Sequence, residues 1–175
     1  AKFTATLNGA TEQPPNASPG TGSGTVTVDL DTLIMTVDVT FSGLLGNVTA
    51  SHIHCCTAVA DAGNVGVATP TPSFPGFPSG GTAGSYLHDF DLSLASSYNA
   101  AFVNAQPDKL VSTAMNALLA GMGGGNAYLN IHTNLFPGGE IRGFLHAAPV
   151  PLPAAVFALS PALVALGLMR RRQAA

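Results

Sequence analysis

Charge is scarce in this chain: Asp, Glu, Lys and Arg together make up 9% of its 175 residues. Soluble helical bundles carry a charged outer surface, so the composition argues against that class. Basic residues are scarcer than acidic ones, six against nine, and three of the six are the consecutive Arg170, Arg171 and Arg172. Without that run the balance is 3 − 9 = −6. No basic patch remains to neutralise phosphates, which excludes nucleic acid as a partner. Nor does the N-terminus have the make-up of a signal peptide. Ala1, Lys2 and Phe3 already read as the start of a strand, as a mature N-terminus left by signal cleavage would. Gly, Pro, Ser, Thr and Asn are abundant instead, with 20 Gly and 13 Pro. Such a composition favours short strands joined by many turns, in one domain of roughly 100–150 residues with a short appendage.

Period-two alternation marks the strands. Lys2–Asn8 sets Phe3, Ala5 and Leu7 on one face. Residues 25–30 alternate likewise, Asp31 and Thr32 form a turn, and the following run places Met35, Val37, Val39 and Phe41 together, which predicts a hairpin with one apolar face. Further strands are expected at 50–54, 86–92, Ala127–Thr133 and 140–146. The expected fold is mainly β, an antiparallel sandwich or Greek-key barrel with one or two short inserted helices. Ser96 and Ser97 are positioned to cap a helix over 98–104, and Asp108 to cap one through Leu110, Ala114, Ala117 and Leu118 that stops at Gly121. Residues 69–84, rich in Pro and Gly, read as a long surface loop that Phe74 and Phe77 anchor to the domain.

Chemistry centres on His52-Ile53-His54. On a strand both imidazoles point to one face while Ile53 takes the other, a geometry that chelates a metal ion. In the predicted strand at Ala127–Thr133, His132 shares a face with Tyr128 and Asn130, so it offers a third ligand if the two strands are near neighbours. Such a set suits copper or zinc. Cys55 and Cys56 follow directly, and three fates compete: a vicinal disulfide, cross-links between chains, or thiolate ligation, for which Cys56 falls on the histidine side. Glu140 and Arg142 fall on one strand face and are expected to form an ion pair or hydrogen-bond clamp around Pro137-Gly138-Gly139. His88, alternating with Tyr86 and Phe90, reads as a histidine of an apolar face, and His146 as exposed.

The pairing of Ser51-His52-Ile53-His54 with the downstream Asn130-Ile131-His132-Thr133 and Pro137-Gly138-Gly139-Glu140-Ile141-Arg142-Gly143 resembles the CHRD domain, a module named from chordin and common in bacterial secreted proteins. The resemblance covers nearly all of residues 2–147. Its histidine-bearing, two-sheet pattern is also similar to copper/zinc superoxide dismutase, which strengthens the expectation of a metal. No second histidine-and-aspartate set resembling that enzyme's two-metal site is found, so the expected role is non-catalytic. The alternatives are a self-assembling filament or lattice subunit and a dismutase-like metalloenzyme.

The C-terminal part has another character. A proline-marked linker at 148–153, with Val150, Pro151 and Pro153, leads into an apolar run at 154–169, which Arg170, Arg171 and Arg172 close. At about 1.5 Å per residue such a helix only just approaches the ~30 Å of a hydrocarbon core, and the arginines predict a cytoplasmic end. The order of proline motif, apolar helix and arginines resembles the PEP-CTERM sorting signal of Gram-negative bacteria, in a variant with Leu152 between the prolines. That resemblance implies an exosortase-type processing enzyme, transient anchoring in the inner membrane, and export to the periplasm, cell surface or an exopolysaccharide-rich matrix. The domain organisation expected is therefore a β domain at 1–147, the linker at 148–153 and a sorting tail at 154–175.

Overall fold

The computed structural model describes residues 1–149. The expected apolar helix, the arginine run and most of the proline motif lie outside the described residues. Within them no helix is long and apolar enough to cross a membrane.

The strands are β1 (Lys2–Asn8), β2 (Thr21–Asp29), β3 (Ile34–Ser42), β4 (Val48–Cys55), β5 (Gly84–Asp91), β6 (Ala127–Thr133), β7 (Ile141–Phe144) and β8 (His146–Ala147). Two helices, α1 (Ala100–Asn104) and α2 (Val111–Gly123), interrupt the chain between β5 and β6. All strand pairs are antiparallel, in the order β4-β6-β7-β1-β2-β3-β5, with β8 added to β1. The fold is thus mainly β with few short helices, as expected. The expected sandwich or Greek-key barrel takes the form of one sheet curled into a half-barrel. Gly24 on β2 shows how tightly it curls: a Cβ there would lie 2.6 Å from Leu129 Cδ2 on β6, three strands away in the sheet order.

Alternation does what the sequence predicts in the β2–β3 hairpin, where Val26, Val28, Met35, Val37 and Val39 are buried and their neighbours face solvent. Asp29 closes its turn by accepting from the backbone N–H groups of Asp31 and Thr32. Strands β4, β6 and β7 differ, because nearly every residue on them is buried. Ile53, Leu129, Ile131 and Ile141 face the core. The opposite, polar face is covered by the segments that connect the strands.

The chain around 69–84, expected as a surface loop, is one of these covers and also closes the outer edge of β4. Phe74 N–H donates to Ser51 O at 3.0 Å and Ala68 N–H to Ile53 O at 2.9 Å. Phe74 and Phe77 are buried among Phe41, Tyr86 and Phe90, so they do anchor the segment. The first helix starts later than expected: Ser96 and Ser97 lie in a 3-10 turn, and Asn99 caps α1 through Ala101 N–H. Asp108 does cap the approach to α2 by accepting from Leu110 N–H and Thr113 Oγ1, but α2 runs two residues past Gly121. Gly121 sits in mid-helix because a Cβ there would lie 2.7 Å from Cys56 Sγ, so glycine lets helix and sulfur meet.

Glu140 and Arg142 do not pair with each other. Glu140 is fully buried and accepts from Ser18 Oγ (2.6 Å), Leu45 N–H (2.5 Å), Gly46 N–H (3.0 Å) and Thr133 Oγ1 (2.7 Å). Burial by itself would raise its pKa, but the hydrogen bonds outweigh burial and hold the carboxyl below its ordinary value. One side chain thus fastens the segment before β2, the β3–β4 turn and the end of β6. Because the folded pKa is depressed, this stabilisation is present above the unfolded-state value and is lost as pH falls through the folded one. Replacing Glu140→Leu leaves four donors without an acceptor, and chemical denaturation should show a loss of about 3 kcal/mol at pH 7. A loss below about 0.5 kcal/mol would remove Glu140 from this role.

Candidate metal centre

Strands β4 and β6 pair with Ala50 opposite His132, His52 opposite Asn130 and His54 opposite Tyr128. Period two therefore puts His52, His54 and His132 on the loop-covered face, opposite Ile53 and Ile131. Their ring centroids lie 5.2 Å (His52–His132), 5.8 Å (His52–His54) and 5.9 Å (His54–His132) apart. One nitrogen from each ring lies within 4.8 Å of the other two.

The other nitrogen of each ring meets a backbone carbonyl: His52 Nε2 with Pro72 O at 2.5 Å, His54 Nδ1 with Val65 O at 2.8 Å, His132 Nδ1 with Pro137 O at 2.9 Å. A carbonyl brings no proton, so the imidazole must donate, and this fixes the tautomer. The remaining nitrogens, His52 Nδ1, His54 Nε2 and His132 Nε2, then carry lone pairs. All three are buried and have no hydrogen-bond partner. Three unsatisfied acceptors at one buried spot are costly unless something electron-poor lies among them. Imidazoles oriented through their outer N–H by a carbonyl are the usual support of metal ligands.

Burial is the main reason that the pKa of each histidine falls below its ordinary value, with His54 taken down to about 4, against the opposing effect of the carbonyl bonds. The rings are therefore neutral at pH 7, the form a metal requires.

Around this set, Tyr128 stacks on His54 with centroids 4.7 Å apart and planes 7° from parallel. The Arg142 guanidinium lies over the same tyrosine ring, 4.7 Å from its centroid. Arg142 donates to Thr11 O, Gly63 O and Asn64 Oδ1, and its Nε is 3.9 Å from Glu12 Oε2. Asn130 Nδ2 donates to Glu12 Oε1 at 2.9 Å. Burial pushes the Glu12 carboxyl up to about 7, against the pull of Arg142 and of hydrogen bonds from Asn130 and Gln13. The alternation already places Tyr128 and Asn130 on the face of His132. Glu12 has no such signal, because it follows a 3-10 turn and meets Arg142 from the far end of the sequence.

Cys55 and Cys56 are bonded to each other. Of the three competing fates this is the vicinal disulfide; Cys56, the alternative ligand, is not part of the histidine cluster, and in this oxidised form neither sulfur is a free thiol for ligation or inter-chain linkage. The pair follows β4 and packs on α2 near Ala117 O. His88 lies between the rings of Tyr86 and Phe90, as its alternation predicts, and exposed His146 meets Asp61 at 2.8 Å.

A protein-family model described as CHRD domain matches residues 3–145, a span that contains all three histidines. No curated protein and no solved structure matches the chain.

The buried rings have a signature in solution. The His54 imidazole resonances should stay unchanged on acidification from pH 8 and titrate only near pH 4. Since the folded value is depressed, the neutral ring contributes stability above the unfolded value of about 6.5, and that contribution fades as pH falls toward 4. A His54 midpoint at or above 6 would contradict the burial described.

Proposed function

We propose, on the premise that the chain belongs to the CHRD domain family, a domain of extracellular type, that this is an exported surface or matrix protein binding one transition-metal ion, copper or zinc. His52, His54 and His132 are its ligands. The observation that carries this reading is the convergence of three buried lone pairs whose rings are each fixed from behind by a backbone carbonyl. Their neutrality and burial support it. The role is non-catalytic: the free nitrogens are screened from solvent, whereas a catalytic metal keeps a coordination position open to substrate. Among the described residues no second cluster of three ligating groups accompanies this one, which weighs against a dismutase-like two-metal centre.

Delivery is assigned to the tail at 150–172, outside the described residues. It would be processed by an exosortase-type enzyme after transient anchoring in the inner membrane, leaving the domain in contact with exopolysaccharide. Self-assembly is a second reading, favoured by the outer edge of β5, which among the described residues pairs only with β3 and exposes Leu87.

Elemental analysis of protein purified without added metal should find about one equivalent of copper or zinc, reduced at least tenfold in His52→Ala and in His132→Ala. Unchanged metal content in both variants would falsify the three-histidine site.

A further inference from the structure

The charges around the site carry the metal-binding reading one step further, and the inference rests on that reading. The three ligating groups are neutral imidazoles, and among the described residues no carboxylate or thiolate joins them. The other buried side-chain acceptor lacking a partner is the amide oxygen of Asn130, which is also neutral. An ion held here would receive no negative charge from its ligands. A fixed positive charge stands close by, because the Arg142 guanidinium lies over the ring that stacks on His54. The Glu12 carboxyl faces Arg142 and Asn130.

We propose that the three-histidine site selects a monovalent ion, copper in its +1 state, over divalent zinc and copper. The cost of moving an ion from water into a buried site grows with the square of its charge, so it is about four times larger for a dication than for a monocation of equal size. Neutral donors do not offset that difference, and the guanidinium adds to it. Carboxylate or thiolate ligands would reverse the balance, but Cys56 is in the disulfide, Glu140 is held by its four donors, and the Glu12 carboxyl is turned to Arg142 and Asn130. Zinc in a closed protein site also calls for a fourth ligand, whereas monovalent copper accepts three.

The test uses the full chain. Cu(I) is titrated anaerobically in competition with bicinchoninate, and Zn(II) and Cu(II) in competition with an aminocarboxylate chelator. Cu(I) should bind at least about 100-fold more tightly than either dication. In Arg142→Gln the Cu(I)-to-Zn(II) ratio should fall by about tenfold as the neighbouring charge disappears. If that variant does not fold, the ratio in the unmodified chain decides by itself. Zinc or Cu(II) binding as tightly as Cu(I) would overturn this inference and leave the metal site in place. Failure of all three ions to bind would overturn both.

Discussion

The strands β4, β6 and β7 are buried on both faces, and most of what is distinctive here follows from that constraint. A half-exposed antiparallel sheet lets water satisfy its polar face. Here the apolar face packs on the rest of the curled sheet and connecting chain closes over the polar one, so polar atoms on that side need partners from within. The covering segments supply them as backbone carbonyls, from Pro72, Val65 and Pro137, each taking one N–H from a histidine. Glu140 acts in the same way at the end of the sheet, gathering the donors of three segments on one carboxylate. Among the described residues, the three unpaired nitrogens and Asn130 Oδ1 are the buried side-chain polar atoms left without a partner.

What the sequence made legible was whatever depends on period two. Alternation located the β2–β3 hairpin, the apolar positions of β1 and the shared face of His52 and His54, because one face of each strand is simply in or out. It also put Tyr128 and Asn130 beside His132, although not their contacts with His54 and Glu12. It did not reveal that the sheet is continuous, because strand order depends on long-range closure: only five residues separate β3 from β4, yet these stand toward opposite ends of the sheet. The composition of 69–84 suggested solvent, since Pro and Gly are turn formers wherever they occur. Its carbonyls and phenylalanines are nevertheless part of the interior. Glu140 and Arg142 were paired by proximity in sequence, but each is better served by partners brought from far along the chain.

The layer beyond the histidines runs from His54 through Tyr128 to Arg142 and on to Glu12. Its groups are joined by stacking, a cation over an aromatic face and a buried ion pair. Burial lifts the Glu12 carboxyl to about 7, so its charge changes within the neutral range. The segment that carries it also supplies Thr11 O to Arg142. The N-terminal part of the chain therefore contributes to the electrostatic setting of a cluster whose three histidines all come from β4 and β6.

Tyr128 has a further consequence. The chain contains three tyrosines and no tryptophan, so its near-ultraviolet absorption and emission are not dominated by indole. Tyr86 belongs to the phenylalanine cluster and Tyr98 bonds to Leu92 O beside the 3-10 turn, which leaves Tyr128 as the chromophore in face-to-face contact with a histidine of the cluster. The fold has thus placed an intrinsic optical reporter against the histidines, so a change in their surroundings can be followed without attaching a label.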